Sequence, residues 1–361
     1  MTHVLVVGKG PPDRGGISAY LQMLLRSDVQ HQFDVRFLHL AGADTSPAGR
    51  LTVRNVRRVM RDVLSVWSAA IGQDIVHLHS AMVPHLTLLR LGLLTLAARL
   101  RAKHVLVPAH SGAVEGWLRA SRWRRLIARV CLRPATSVVT VDRGSMEQLG
   151  RVVGWRPLVF IENGVNVSAF GLARFSTKPR VLYAGLLAQR KGVVALIEAS
   201  RLLDERGVQH EVVIVGGTPD EGVEAEAIVR RAAEGSRVRL AGPQPHEQMA
   251  DWYRSADVFC LPSWYEAMPL AVLEAMASGL PVVATAVGDV GRAVHDGVTG
   301  LLVQPRDVQA LADALQLVVG DIKLRQRFGA AGRRRAEEHF NAEATFGAVA
   351  ALYRELSEDV R

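Results

Sequence analysis

Cysteine is almost absent. Cys131 and Cys260 are the only two in 361 residues, each inside an apolar run and neither at metal-ligand spacing. That excludes a disulfide framework and points to buried thiols in a reducing compartment. Aromatic residues amount to 6%, and they do not interleave with the basic residues as a base-stacking platform requires, so no nucleic-acid partner is expected. No apolar run suits a bilayer span. The most apolar helical stretch, residues 86–100, is interrupted by Arg90 and Arg99 and falls short of the roughly 20 residues needed. Residues 1–8 lack the basic flank and the long apolar core of a secretion signal, and read as a strand. Acidic residues are scarce in the first half: residues 1–175 hold 23 Lys and Arg against 10 Asp and Glu, whereas residues 176–361 hold 21 against 25. A basic half implies an anionic partner, such as a membrane surface or a lipid phosphate. The expected location is the cytoplasm, extending to the inner face of the plasma membrane.

What is present is a globular balance, 49% hydrophobic and 22% charged, on a chain long enough for two domains. Strand and helix segments alternate throughout, which predicts α/β architecture with parallel sheets covered on both faces. In the first half, strands are expected at 4–7, 33–40, 74–79, 104–108, 137–141 and 158–162. In the expected helix 50–67, Arg50, Arg54, Arg57, Arg58 and Arg61 take one side, leaving Val53, Val56, Val59, Met60, Val63, Leu64 and Trp67 for the core. Residues 117–133 read as one basic amphipathic segment with six arginines and two tryptophans. It suits the headgroup region of an anionic membrane and equally the solvated back of a helix. Residues 171–179 read as a linker between a first domain, 1–170, and a second, 180–340; residues 341–361 form a last helix.

Three places along this frame have chemistry of interest. Residues 8–16 join a strand to a helix through four glycines, and the amide of Gly16 can approach an anion closely. The spacing is not G-x-G-x-x-G, and no acidic residue closes the next strand as a dinucleotide fold requires. His110 falls at the carboxyl end of a strand, where ligands gather in doubly wound sheets; His77 and His79, on one side of the preceding strand, read as structural. Arg190 and Lys191 precede Gly192 at a strand-to-helix turn, placed to neutralise a diphosphate.

Residues 263–285 are the most informative stretch: strand end, loop, helix, turn, strand. Pro269 suits the first helical position and Gly279 the left-handed residue past the helix end. Glu266 lies in the loop and Glu274 in the helix's second turn. The helix start between them, at Met268 and Leu270, offers free N–H groups and partial positive charge to a phosphate. Glu274 is surrounded by Leu270, Ala271, Leu273, Ala275, Met276 and Ala277; burying a carboxylate there without partners is costly.

Glu266 to Glu274, followed by Ala-Met-Ala-Ser-Gly-Leu-Pro-Val-Val-Ala-Thr, resembles the E-x7-E signature of retaining glycosyltransferases of family 4. The resemblance extends over the chain, strongly over 180–303. It implies a GT-B architecture, two Rossmann-like doubly wound domains facing a central cleft, with a nucleotide-sugar donor, UDP- or GDP-linked, and a glycan or lipid-linked acceptor. It implies donor contacts from Gly16, Arg190, Lys191, Glu266, Met268, Leu270 and Glu274. Within that set, Lys191 would stabilise the leaving diphosphate, Glu274 would hold the ribose and Glu266 the sugar hydroxyls; His110 would position the sugar or acceptor. No D-x-D motif is present, and neither a metal nor a cofactor is expected. One departure stands out: Leu186 occupies the place of the family's phosphate-binding arginine. A nucleotide-sugar epimerase or hydrolase of the same architecture, and a non-catalytic nucleotide-sugar sensor, remain as alternatives.

Overall fold

The computed structural model describes residues 1–10, 13, 15–40, 52–154, 157–217 and 223–358. Arg50, at the start of the expected helix 50–67, lies outside them, as do Pro11, Pro12 and Arg14 of the first loop. The chain forms two compact units. The first comprises Met1–Glu162 and Glu343–Arg361, the second Asn163–Ala342. Residues 163–179, which include the expected linker, cluster with the second unit.

The first unit is built on β1 (His3–Gly8), β2 (Asp34–His39), β3 (Ile75–Leu78), β4 (His104–Ala109), β5 (Ser137–Thr140) and β6 (Leu158–Phe160). All pair in parallel, in the order β2-β1-β3-β4-β5-β6. The inner strands are continuous apolar runs such as Val4–Val7 and Val105–Val107, buried on both faces, as parallel strands covered by helices must be. The helix Ala342–Glu358 belongs to this unit, and its Tyr353 hydroxyl lies 2.6 Å from His77 Nδ1.

The second unit repeats the plan with β7 (Arg180–Ala184), β8 (Glu211–Val215), β9 (Val238–Gly242), β10 (Val258–Leu261), β11 (Val282–Thr285) and β12 (Gly300–Val303). The order is β12-β11-β10-β7-β8-β9, again with parallel pairing. The chain winds outward from β7 to β9, returns beside β7 as β10, and winds outward the other way. Loops at the carboxyl ends of β7 and β10 therefore diverge from one crevice, the switch point at which doubly wound sheets take their ligands.

Three expectations need correction. The helix begins at Val53, with Thr52 capping the Asn55 amide, and it buries only part of its apolar side: Val66 is fully buried and Val63 and Trp67 pack against the core, whereas Val53, Val56, Met60 and Leu64 are exposed. The strong 3.6-residue periodicity marked an amphipathic helix correctly but not which neighbour covers each stripe. Residues 117–133 are two helices, Ala113–Arg119 and Arg122–Leu132, because the Ser121 side chain accepts from the Trp123 amide and starts a new helix. Pro269 is the N-cap, with extended ψ of 121°, and the helix runs Leu270–Ala277.

Candidate functional site

The second unit brings Lys191 and Glu266 into contact at its switch point. Lys191 ends a short 3-10 turn, Gln189–Lys191, after β7; Glu266 lies in the loop after β10. Their charged atoms are 2.5 Å apart, and the side chains are only 15% and 10% exposed. Ser263 Oγ donates to the same carboxylate oxygen at 2.7 Å. Two glycines make the approach possible. Gly192 has φ +66°, and a Cβ there would stand 1.9 Å from the Pro262 carbonyl oxygen; Gly288 has φ +51°, and a Cβ there would stand 2.0 Å from the Glu266 carbonyl oxygen. Both positions need a residue that tolerates positive φ and has no side chain.

The backbone of the loop is held from several sides. The Asp289 amide donates to the Ala267 carbonyl at 3.0 Å, and Asn163 Nδ2 donates to the Met268 carbonyl at 2.7 Å. Met268 and Leu270 are buried. Pro269 has no N–H, and the Val272 amide turns back to the Pro269 carbonyl at 3.1 Å. The amides of Leu270 and Ala271 precede any intrahelical acceptor, so the helix start presents donors and the positive end of its dipole.

Glu274 is 7% exposed, one turn further along. Tyr253, itself fully buried, donates its hydroxyl to Glu274 Oε2 at 2.8 Å. Burial raises the carboxyl's pKa; His246 and the Tyr253 hydrogen bond oppose that rise. Burial and the adjoining carboxylate together hold the Tyr253 hydroxyl well above its ordinary value. Arg190 stacks its guanidinium 5.8 Å from the centroid of Tyr265. At Leu186, in place of a cation, the backbone carbonyl accepts from the Tyr183 hydroxyl at 2.8 Å.

His110 and Gly16 belong to the first unit. Gly16 opens the helix Gly16–Leu24 and is exposed. His110 follows β4, and its Nε2 lies 2.9 Å from Nδ1 of His79, which follows β3. Tyr20 packs against both rings, with centroids 5.4 Å and 5.0 Å away. Burial lowers the pKa of His110 to about 4 and of His77 to about 3, and that of His79 falls well below the ordinary value. All three are therefore neutral near pH 7. His79 Nε2 has no hydrogen-bond partner among the described residues. A bare ring nitrogen is easier to bury than an unpaired N–H, so His79 carries its proton on Nδ1 and donates to His110. His110 then carries its own proton on Nδ1.

Sequence reasoning missed Tyr253, Ser263 and the role of His79. Tyr253 gave no signal, because its partner is 21 residues away across a strand. Ser263 sits three residues before Glu266, but a serine in a loop after a strand is unremarkable by itself. His79 shared its strand side with His77, and only the position of β4 beside β3 turns it toward His110. Among the described residues no group of three or more His, Cys, Asp or Glu is arranged to hold a metal ion, and no helix is long and apolar enough to cross a membrane.

Residues 167–335 match the family described as glycosyl transferases group 1. Over 184 residues the chain is 38% identical to the D-inositol 3-phosphate glycosyltransferase of Kribbella flavida, covering 49% of this chain and 43% of that protein. It thus spans less than half the length of that relative. It is 30% identical over 288 residues to the glycogen synthase of Mycobacterium tuberculosis, covering 78% of this chain and 68% of that protein. Among solved structures, sucrose-phosphate synthase from Thermosynechococcus elongatus superposes with a TM-score of 0.80 at 25% identity, covering 99% of this chain and 100% of that one. Anabaena HepE in complex with UDP-glucose superposes with a TM-score of 0.76 at 17% identity, covering 98% of this chain and 100% of that one. Two parallel six-stranded sheets with this likeness are the two Rossmann-like domains of a GT-B fold.

Proposed function

The chain belongs to the group 1 glycosyl transferases, and from that premise we propose that it moves a hexosyl unit from a nucleotide-sugar to a hydroxyl of a glycan or lipid-linked acceptor. The reading is that of a family 4 enzyme with retention of anomeric configuration, acting in cell-surface polysaccharide or glycolipid synthesis, with the acceptor presented at a membrane. The observation that carries it is the Lys191–Glu266 contact at the switch point, directly before a helix whose second turn holds the buried Glu274.

The bond from the sugar's C1 to the donor's phosphate oxygen breaks, and the bond from C1 to the acceptor oxygen forms on the same face. The acceptor's proton passes to the departing phosphate. Lys191, assisted by Arg190 and by the amides of the helix start around Met268 and Leu270, stabilises the charge that builds on the leaving diphosphate. Glu274, fixed by Tyr253, accepts from the ribose hydroxyls. Glu266 accepts from the sugar hydroxyls and orients the ring. His110, neutral and with its orientation set by His79, positions the sugar or acceptor. A nucleoside diphosphate-linked hexose is the donor class, UDP- or GDP-linked; the UDP-glucose bound by HepE supports the first.

The test combines binding with turnover. UDP-, GDP- and ADP-sugars are screened by thermal shift, since a ligand in excess stabilises the fold by mass action, and the best donor is then incubated with polyprenyl-linked and glycan acceptors. Acceptor-dependent release of nucleoside diphosphate is expected. Donor breakdown that ignores the acceptor would favour the hydrolase or epimerase, and binding without turnover the sensor.

A further inference from the structure

We infer that the outer face of three neighbouring helices in the first unit, Val53–Ala69, His85–Arg99 and Arg122–Leu132, is a docking surface for an anionic lipid bilayer. The inference deepens the reading of a membrane-presented acceptor and rests on it only for its biological purpose.

The central helix of the three is His85–Arg99. It buries Leu88, Leu91, Leu94, Ala97 and Ala98 in the core beneath it. It meets the helix Val53–Ala69 on one flank, where Arg90 turns inward to Asp62 at 2.8 Å and to Ser80 at 3.0 Å. On the other flank it meets the helix Arg122–Leu132 so closely that a Cβ on Gly92 would lie 3.0 Å from Cys131. With its inner side and both flanks engaged, its remaining side faces away from the sheet. That side holds Leu89, Leu93 and Leu96, with Leu100 at the C-cap, all exposed, Leu93 at 47%.

The flanking helices extend the same surface. Val53, Val56, Met60 and Leu64 on one, and Trp123, Leu126 and Val130 on the other, are exposed, with Leu64 at 63% and Trp123 at 73%. Each set recurs at intervals of three or four residues and so forms one stripe along its helix. Three adjacent apolar stripes make a patch of the kind that marks an interaction site.

Charge selects the occupant. The three helices contain a single acidic residue, Asp62, which is buried against Arg90. Arg57 and Arg61 stand exposed beside the first stripe and Arg122 beside the last. A surface that offers apolar side chains flanked by cations, with no exposed carboxylate, fits the headgroup and upper acyl region of a bilayer containing anionic lipid. A second copy of the chain would bring the same positive charge against itself. Nucleic acid would leave the leucines and valines wet.

The experiment uses the full chain in vesicle flotation, with vesicles of phosphatidylcholine alone and of equimolar phosphatidylcholine and phosphatidylglycerol. Wild type is expected to float with the anionic vesicles, about tenfold more strongly than with neutral ones, and less at high salt. L93E, W123E and the pair R57E/R61E alter exposed side chains only. Each is expected to reduce flotation about tenfold while leaving the melting temperature unchanged. Absence of flotation with anionic vesicles, equal flotation with both kinds, or wild-type flotation of the L93E/W123E double variant would overturn the inference. A dimer seen by light scattering and dissolved by L93E would overturn it too, in favour of a second copy. Donor-induced thermal shift in the same preparations separates the two readings. Lost flotation with the shift retained refutes this face alone, and flotation with no shift from any donor refutes the transferase reading alone.

Discussion

Tyr253 and Glu274 share a hydrogen bond of 2.8 Å in a fully buried setting, and Tyr253 is the side chain that aims the carboxylate. Removing the hydroxyl leaves a buried carboxylate short of a donor. For Y253F the expected outcome is a donor KM raised about tenfold, with kcat within a few-fold of wild type, because a hydrogen bond to a charged group contributes about 1.5–3 kcal/mol. E274A is expected to raise the donor KM by about 100-fold. Steady-state kinetics with the donor varied would check both; an unchanged KM in E274A removes the ribose role from this residue.

Lys191 and Glu266 form a buried ion pair to which the proposed function adds a chemical role, and a double variant can separate the two. Breaking a buried pair by removing one partner leaves an uncompensated charge, so K191M and E266Q are each expected to lose about 3–5 kcal/mol of stability. The K191M/E266Q double variant is expected to recover most of that loss but none of the activity, with kcat down about 100- to 1,000-fold. Urea unfolding beside single-turnover kinetics reads the two separately. A double variant that regains turnover would show that the lysine does not stabilise the leaving group.

His79 Nδ1 lies 2.9 Å from His110 Nε2, and in the proposed function it acts through that ring. H79A is expected to lower kcat about tenfold with donor KM little changed, since His110 loses the donor that sets its tautomer. H79N, whose amide can still donate, is expected to recover part of the loss. A purely structural role predicts the reverse: lower stability, unaltered kcat in the folded fraction and no rescue by asparagine.

The first unit is expected to weaken in mild acid. Folded His110 and His77 titrate at about 4 and about 3, and His79 well below its ordinary value, whereas the unfolded chain takes up protons near pH 6.5. These groups lower stability as pH falls through 6.5, by about 1.4 kcal/mol per pH unit for each that remains neutral in the fold. Glu274, in the second unit, acts in the opposite direction there: its raised value means the folded chain keeps a proton the unfolded chain has lost, so its contribution falls as pH rises above the unfolded carboxyl value. His295 in the second unit is lowered too, by burial and by the neighbouring Arg335 and His339, so one carboxyl stands against four imidazoles. The urea midpoint is therefore expected to drop between pH 7 and pH 5, and a flat or rising midpoint would contradict neutral buried imidazoles.

Much of the fold could be read from short local signals. Continuous apolar runs between turn residues marked the parallel strands, and the Pro269–Gly279 punctuation bounded the helix carrying Glu274 within one residue. Lys191 and Glu266 were each identifiable by their place after a strand, but their 2.5 Å contact depends on β10 returning beside β7, a matter of strand order with no local signature. The Tyr253–Glu274 bond was invisible for the same reason. Periodicity failed differently at Val53–Ala69. An apolar stripe states that a helix has two faces, and only the neighbouring helices decide that Val53, Val56, Met60 and Leu64 stay outside. At Leu186 the missing cation was legible; that its carbonyl would receive the Tyr183 hydroxyl was not.

The first unit is assembled from two separate lengths of chain, Met1–Glu162 and Glu343–Arg361, with the whole of the second unit between them. Tyr353, from the late length, lies fully buried against His77 and Phe33 from the early one. On a ribosome, where domains form as they emerge, the early length must wait, its helix-shaped gap unfilled, until the intervening unit has been made. The order of completion is thus the reverse of the order of sequence: the part synthesised first is finished last, and its histidine cluster is enclosed only after the segment carrying Lys191, Glu266 and Glu274 has been made.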